Sequence, residues 1–341
     1  MKTEEALALI EESVDLFGPR GADAEQRRAA RRRYHRLVLS VHPDRVDPIH
    51  HRRAVAATAR LSALYTEWSA GGTAIRYRGE VGEYSLGDLL ARGSVATLYR
   101  GTSESNEPVV LKIPRDPRAN GLIENERRAL REIADSAVGG REWWLPYFPR
   151  LIDHITHADL GTGTRRQITV LGDLSVGFVT LADVAAAYPH GLDPRDYAWM
   201  HRRILRALAA AHSVGWVHTA LTPENVLIHP DWHGVVLAGW SFATRPGESP
   251  SARISAAHYP PEAGGPVSPA WDVYMAHQVM LGLLGSRIPN RMRAFASGCM
   301  QDAPRMRPDA SDLLAEFDDL LDLLYGERTF RPFDLPTRKE Q

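Results

Sequence analysis

The chain opens with an apolar stripe of Leu7, Ile10, Val14 and Phe17 at three- and four-residue spacing, which is one face of a helix at 3.6 residues per turn. Gly18-Pro19 is expected to stop it. A second amphipathic run starts near Ala24, with Ala30, Tyr34, Leu37, Val38 and Val41 on one face. Its other faces carry Arg27, Arg28, Arg31, Arg32, Arg33 and Arg36. A third run places Ala54, Thr58, Leu61, Leu64, Tyr65 and Trp68 inward. His42-Pro43-Asp44 lies between the second and third. Proline lacks the N–H and clashes with the preceding turn, so the tripeptide must sit at the tip of an antiparallel helical hairpin.

The pattern changes near residue 70. Residues 69–82 are glycine-rich and read as a linker. From Tyr84 short β-branched runs broken by glycine predict strands, and from about residue 180 the period becomes helical. The end of the chain lacks periodicity and reads as an extended tail. The expected organisation is a helical unit over 1–68, a linker over 69–82, a second domain over 83–325 and a tail over 326–341, an α+β chain in all.

Composition narrows the function classes. With 341 residues and 44% hydrophobic content, there is enough chain for two packed cores. The formal net charge of −1 gives no global field for nucleic acid or an acidic membrane. The single cysteine, Cys299, excludes an internal disulfide and fits a reducing cytoplasm. The first residues carry acids where a signal peptide needs an apolar run, and no stretch reaches eighteen uncharged apolar residues. The expectation is a soluble cytoplasmic protein with no membrane partner. An arginine-rich helix could meet phosphates, but no aromatic-and-basic interleaving accompanies it, so nucleic acid is not the expected partner.

The stretch YHRLVLSVHPDRV, between two amphipathic helices, resembles the J domain. That resemblance implies docking on a DnaK-type heat-shock ATPase through His42, Pro43, Asp44 and the preceding basic face, here Arg28, Arg32 and Arg36, with acceleration of ATP hydrolysis by that partner. The tripeptide alone carries little weight, because His229-Pro230-Asp231 repeats it where a β-turn is expected.

From Tyr84 to about residue 325 the chain resembles the protein kinases, with motifs in that family's order. LARGSVATLYRG stands where a glycine-rich phosphate loop belongs. It keeps Gly93, while Ala91 and Ala96 replace the flanking glycines. VVLKIP supplies Lys112 for the α- and β-phosphates, and IENERRAL supplies Glu126 as its ion-pair partner. HSVGWVHTALTPENVLI matches the catalytic loop and retains His218, Leu221, Pro223, Glu224 and Asn225. Thr219, Ala220 and Thr222 replace its arginine, aspartate and lysine. Alanine cannot accept a proton from an attacking hydroxyl. VVLAGWSFA stands at the Asp-Phe-Gly position, with Gly239 where magnesium needs a carboxylate, then Trp240 and Ser241. Glu262 of PPEA, Asp272 of WDVYMA and Arg307 of PRMRPDA match scaffold positions.

No other chemistry is visible: the histidines share no face that suggests a metal, and Ser94, Ser241 and Cys299 lack a base nearby in sequence. These readings lead to an expected co-chaperone. A J domain recruits and stimulates a DnaK-type ATPase, and a catalytically inactive kinase-like domain holds a protein client or complex. The alternatives are a scaffold that only docks, and an unorthodox kinase or nucleotide-dependent transferase working through Lys112, Glu126 and Asn225. No cofactor is required on the first reading, and ATP is expected to bind weakly and without metal, or not at all.

Overall fold

The computed structural model describes residues 3–12, 16–17, 24–43, 46–69, 75–158 and 164–335. Contacts divide the chain into two units. One takes residues 1–77, 83–88 and 101–105, and the other takes 78–82, 89–100 and 106–341.

The first unit contains α1 (Thr3–Glu12), α2 (Ala24–Val41) and α3 (His51–Ser69). Leu7, Ile10, Leu37, Val41, Ala54 and Leu61 are buried together, and Tyr34 stacks on Tyr65 at 4.3 Å between ring centroids. Arg53 makes a bidentate pair with Glu11 at 2.8 and 3.1 Å, and Arg60 Nε donates to Ile10 O. The expected long first helix is corrected. The helix ends at Glu12 after ten residues, and Phe17 reaches the core from a turn, with its ring edge on Tyr65 at 5.1 Å. Val14 and Gly18-Pro19 fall outside the described residues. A J-domain hairpin is not shown by these helices. The first is short, and of the tripeptide only His42 and Pro43 are described, Asp44 lying outside. Arg28, Arg32 and Arg36 are exposed along α2. Of the stretch read as a linker, residues 76–78 form a short strand, β1 (Arg76–Arg78), and 70–74 fall outside the described residues.

The second unit has a sheet followed by a mainly helical part. β2 (Glu83–Arg92) and β3 (Ala96–Ser103) enter it at residues 89–92 and 96–100. β4 (Pro108–Pro114), α4 (Asn120–Asp135), β5 (Leu151–Ala158) and β6 (Arg165–Gly172) follow, and the sheet runs β2-β3-β4-β6-β5. β4 is central. Its Val109, Val110 and Leu111 are buried, and Lys112 sits opposite Thr169 of antiparallel β6. A strand buried on both faces reads as a continuous apolar run, as Val109, Val110 and Leu111 do before Lys112. α4 packs on this sheet through Ile123, Ala129, Leu130 and Ile133.

The helical part begins with β7 (Val179–Thr180) and α5 (Leu181–Ala187), where Thr180 and Asp183 form a reciprocal capping box. In α6 (Pro194–Ser213), Asp193 caps the first turn and Pro194 occupies a position that needs no N–H. β8 (Val226–His229) and β9 (Gly234–Leu237) form an antiparallel hairpin. α7 (Pro269–Leu284), α8 (Asn290–Gly298) and α9 (Ala310–Tyr325) complete the core. α7 is buried on nearly every side, from Trp271 to Leu284, so its apolar residues do not form a single stripe. The segment after α9 is irregular but docked. Tyr188 Oη donates to Asp334 O at 2.6 Å, Phe333 is buried, and Arg331 pairs with Asp196 at 2.6 Å. Residues 336–341 lie outside the described residues. Among the described residues, no helix is long and apolar enough to cross a membrane.

Two histidines sit inside this helical core. His201 of α6 and His277 of α7 meet edge-to-face at 4.8 Å, with Phe317 on His201 and Phe295 beside His277. Burial pushes the His277 pKa down to about 4 and drives that of His201 well below its ordinary value. The folded state therefore resists protonation that the unfolded chain accepts near pH 6.5. The stability contributed by neutral His277 is present above that pH and is lost as pH falls toward 4. For the His277→Phe variant, urea titrations at pH 7 and pH 4.5 should show a smaller acid loss than in the parent, by up to about 2–3 kcal/mol. An identical acid loss in parent and variant would remove His277 as its source.

Candidate functional site

The hairpin of β8 and β9 brings the candidate residues together. Val226 pairs with Leu237, and the ladder continues one step through Ala238 N donating to Asn225 O at 2.8 Å. Asn225 and Gly239, fourteen residues apart in sequence, therefore lie side by side at one end of the hairpin. Gly239 has φ +84°, and the one-turn 3-10 helix Trp240–Phe242 follows it. A Cβ built on Gly239 would stand 2.5–2.7 Å from the side-chain amide of Asn225, closer than packed atoms approach. Glycine is required here twice, by the left-handed backbone and by the neighbour. The Asn225 amide is itself tied back, since its Nδ2 donates to Ala220 O at 2.8 Å.

Asp272, fully buried at the start of α7, holds the loop that carries these residues. It accepts from His218 N at 2.7 Å and Thr219 N at 2.8 Å, and His212 Nε2 lies 2.9 Å away. Thr219 sits at φ +55°, a strained value for a β-branched residue, and its hydroxyl donates to Phe242 O at 2.6 Å. His218 bonds Ala238 O at 2.7 Å, and burial lowers its pKa. Trp240 stands edge-on to the His218 ring at 4.6 Å and packs against Phe148, with its indole N–H donating to Leu237 O. Ala220 is fully buried.

The charged centre is a closed ring of three side chains. Lys112 Nζ lies 2.6 Å from Glu126 Oε2 and donates to Ser241 Oγ at 3.0 Å, and Ser241 Oγ donates to the same carboxylate oxygen at 3.2 Å. All three are buried. The lysine comes from β4, the glutamate from the inner face of α4, and the serine from the 3-10 turn after Gly239. Two of the ammonium's three N–H groups are thus engaged. α4 is fastened to the same segment at two further places. Asn125 Nδ2 donates to Ala243 O at 2.7 Å, and Glu132 pairs with Arg245 and accepts from Trp216 Nε1 at 3.1 Å. Ser241 was set aside in the sequence for want of a nearby base. Its partners lie 115 and 129 positions away, and only the fold brings them within reach.

The remaining candidates fall into place around this centre. Gly93 closes the β2–β3 turn, its N–H donating to Ala96 O at 2.9 Å. Arg307 grips Glu262 bidentately at 2.6 and 2.8 Å and also donates to Gln301 O and Ala270 O. A cavity of about 1060 Å³ opens at the C-terminal half of α4, lined by Leu130, Phe148, Ile152 and Phe178 among others. None of Lys112, Glu126, Asn225 or Gly239 lines it, so it is separate from this site.

A divalent cation does not fit the residues present. Magnesium takes carboxylate and carbonyl oxygens in tight octahedral geometry. The position beside Asn225 is a glycine with no room for a Cβ, which supplies no carboxylate beside the neutral amide oxygen of Asn225, and the Glu126 carboxylate is committed to Lys112 and Ser241. Among the described residues, no group of three or more His, Cys, Asp or Glu side chains could hold a metal ion.

No protein-family model matches the chain. The chain is 25% identical over 280 residues to the probable serine/threonine-protein kinase PkwA of Thermomonospora curvata, covering 70% of this chain and 34% of that protein. It is 25% identical over 295 residues to the serine/threonine-protein kinase PkaB of Streptomyces coelicolor, covering 71% of this chain and 64% of the other. It thus spans less than two thirds of either relative. Among solved structures, that of vaccinia related kinase 3 superimposes with a TM-score of 0.58 at 19% identity, covering 77% of this chain and 93% of that one. The chain has a protein-kinase-like fold.

These similarities overturn the co-chaperone expectation. The relatives are named as kinases, and neither they nor the solved neighbours point to a J domain, a DnaK-type partner or a held client. His42, Pro43, Asp44, Arg28, Arg32 and Arg36 lose their docking assignment. The physical reason is that a His-Pro-Asp turn is not specific. The second copy, His229-Pro230-Asp231, runs from the end of β8 into the β8–β9 turn. The expectation of an inactive domain is corrected as well, since the relatives are enzymes by name. It gave too much weight to Ala220 and Gly239 and too little to the assembled Lys112–Glu126 pair.

Gly239→Asp should lower the melting temperature by about 2–6 °C, because a left-handed non-glycine residue costs about 1–2 kcal/mol, and millimolar Mg²⁺ should not restore it. An Asp variant as stable as the parent and further stabilised by Mg²⁺ would show that Asn225 yields and a metal site forms.

Proposed function

We propose that this protein is an unorthodox nucleotide-dependent phosphotransferase, moving the terminal phosphoryl group of ATP to a protein hydroxyl. The observation that carries the reading is the buried Lys112–Glu126 pair, 2.6 Å apart and braced by Ser241. A buried ion pair costs desolvation that its own attraction barely repays, and a role in holding a ligand accounts for keeping one on the central strand β4. The similarity to named serine/threonine kinases supports the same class.

Phosphoryl transfer asks little covalent chemistry of the protein. Its transition state is loose, so positioning and electrostatics supply most of the acceleration. Here Lys112 would hold the phosphates and Glu126 would hold Lys112. Asn225, pinned by its bond to Ala220, would present its amide oxygen at the edge of the site. The acceptor oxygen forms a bond to the γ-phosphorus as the bond to the β–γ bridging oxygen breaks. The nucleoside diphosphate leaves, and the hydroxyl proton passes to the transferred phosphoryl group or to water. No carboxylate at position 220 takes it, so the rate should lack the contribution of about 10²- to 10⁴-fold that a general base gives.

The test is mass spectrometry of the full chain and of a mixed protein substrate after incubation with ATP, with and without Mg²⁺. Phosphoryl incorporation is expected in the parent, falling at least about tenfold in Lys112→Met and in Glu126→Gln, since each removes a charge-assisted contact worth over about 1.4 kcal/mol. No mass change in this chain or in any substrate, or equal incorporation in parent and Lys112→Met, would defeat the proposal.

A further inference from the structure

A nucleoside triphosphate brings several negative charges, and at this site no metal coordination answers them. Lys112 meets only part of that charge, because Glu126 offsets its own. The compensating charge has to come from elsewhere on the second unit. The β2–β3 turn and the end of β4 supply it.

Resting on the phosphotransferase reading above, we propose that Arg115 is a nucleotide-binding residue, placed on the phosphate-loop turn to take the polyphosphate of a metal-free nucleoside triphosphate. Arg115 follows the last residue of β4, three positions after Lys112. At strand rise this puts their Cα atoms about 10 Å apart. Its N–H donates to Val95 O at 3.1 Å, and its Nη1 lies 3.4 Å from Gly93 O. Both contacts are to the turn whose backbone would face the phosphates. The guanidinium is exposed, and its contact with Gly93 is long, so its remaining N–H groups are available to a ligand.

The surroundings favour an anion. Residues 92–96 and 114–118 together contain three arginines, Arg92, Arg115 and Arg118, and one acid, Asp116. That acid is already committed, because Arg118 bonds it through its backbone N–H at 2.8 Å and its guanidinium at 2.7 Å. The same two contacts hold the Asp116 carboxyl near a pKa of about 2. Arg166 reaches over from β6 and donates to Pro114 O at 2.8 Å and Arg115 O at 3.2 Å, which fixes the backbone from which Arg115 projects. Arg118 is spent on Asp116, whereas Arg115 touches only the turn's carbonyl. Arginine also suits the task chemically, since its planar fork grips phosphate oxygens bidentately.

The test is isothermal titration calorimetry of ATP into the full chain, in EDTA and then in excess Mg²⁺, checked by thermal shift. The parent should bind in EDTA with a Kd within about threefold of its value in Mg²⁺, and Arg115→Ala should weaken the EDTA value about tenfold or more, the loss of one charge-assisted bond. Arg118→Ala, whose guanidinium is held by Asp116, should change it less than about twofold. Both residues are exposed, so neither variant is expected to unfold the chain. Binding that appears only with Mg²⁺, or an Arg115→Ala variant that binds as the parent does, overturns this inference and leaves the phosphotransferase reading standing. Absence of binding and of thermal stabilisation in both conditions overturns the two together.

Discussion

Everything at the candidate site is hung on one buried carboxylate. Asp272 enters α7 with no exposure to solvent and accepts the N–H groups of His218 and Thr219, with His212 closing the third side. A carboxylate taken out of water is costly unless such donors surround it, so the arrangement is all or nothing: remove the loop's two amides and the charge is stranded. That demand holds Thr219 in a left-handed conformation its side chain would otherwise avoid. From Thr219 the chain has only six residues in which to reach Asn225, and Asn225 is fixed in turn to Ala220 and to Ala238. The position of Gly239, and hence of Ser241 in the ring with Lys112 and Glu126, follows from the same anchor.

The two halves of the second unit meet through α4. Its inner face packs against the sheet, while Asn125, Glu126 and Glu132 reach the segment from Ser241 to Arg245. Arg245 also lies over the Trp216 ring at 4.0 Å and donates to Val214 O and Gly215 O. A rotation of α4 would break the Lys112 pair, the Asn125 bonds and the Glu132–Arg245 pair at once. These contacts are therefore coupled, and their energies should not be added as if independent.

The kinase-like fold was legible from the order of motifs because each motif encodes a local necessity. VVLKI is a doubly buried strand, IENERRAL a helix that buries two charged residues, Glu126 and Arg127, and PENVLI a turn leading into a hairpin. The site's connections were less legible in proportion to their sequence separation. Glu262 and Arg307 could be matched as scaffold positions, but nothing local joins Ser241 to Lys112 across 129 residues, and nothing in LAGWSFA says that Asn225 fills the space a side chain at 239 would need. The N-terminal misreading has the opposite cause. A local signal, a proline-containing tripeptide between amphipathic helices, was given a specific meaning that its chemistry does not carry. The apolar stripe that suggested one long helix breaks after Glu12, and Phe17 completes the same core from a turn.

The substitutions at 220 and 239 are best understood as one change in where charge resides. In a metal-dependent site of this kind, one carboxylate takes the acceptor's proton and another holds a divalent cation that in turn holds the phosphates. Here both carboxylate positions are apolar or empty. The space one side chain would take is filled by Asn225, and the other residue, Ala220, is fully buried. A side chain at 239 would meet the Asn225 amide, and one at 220 would be buried. On the proposed reading, the charge of a polyphosphate falls to fixed cations, among them Arg115 beside Gly93. Guanidinium remains charged at any physiological pH, so a site built this way would depend on ionic strength rather than on divalent-metal supply.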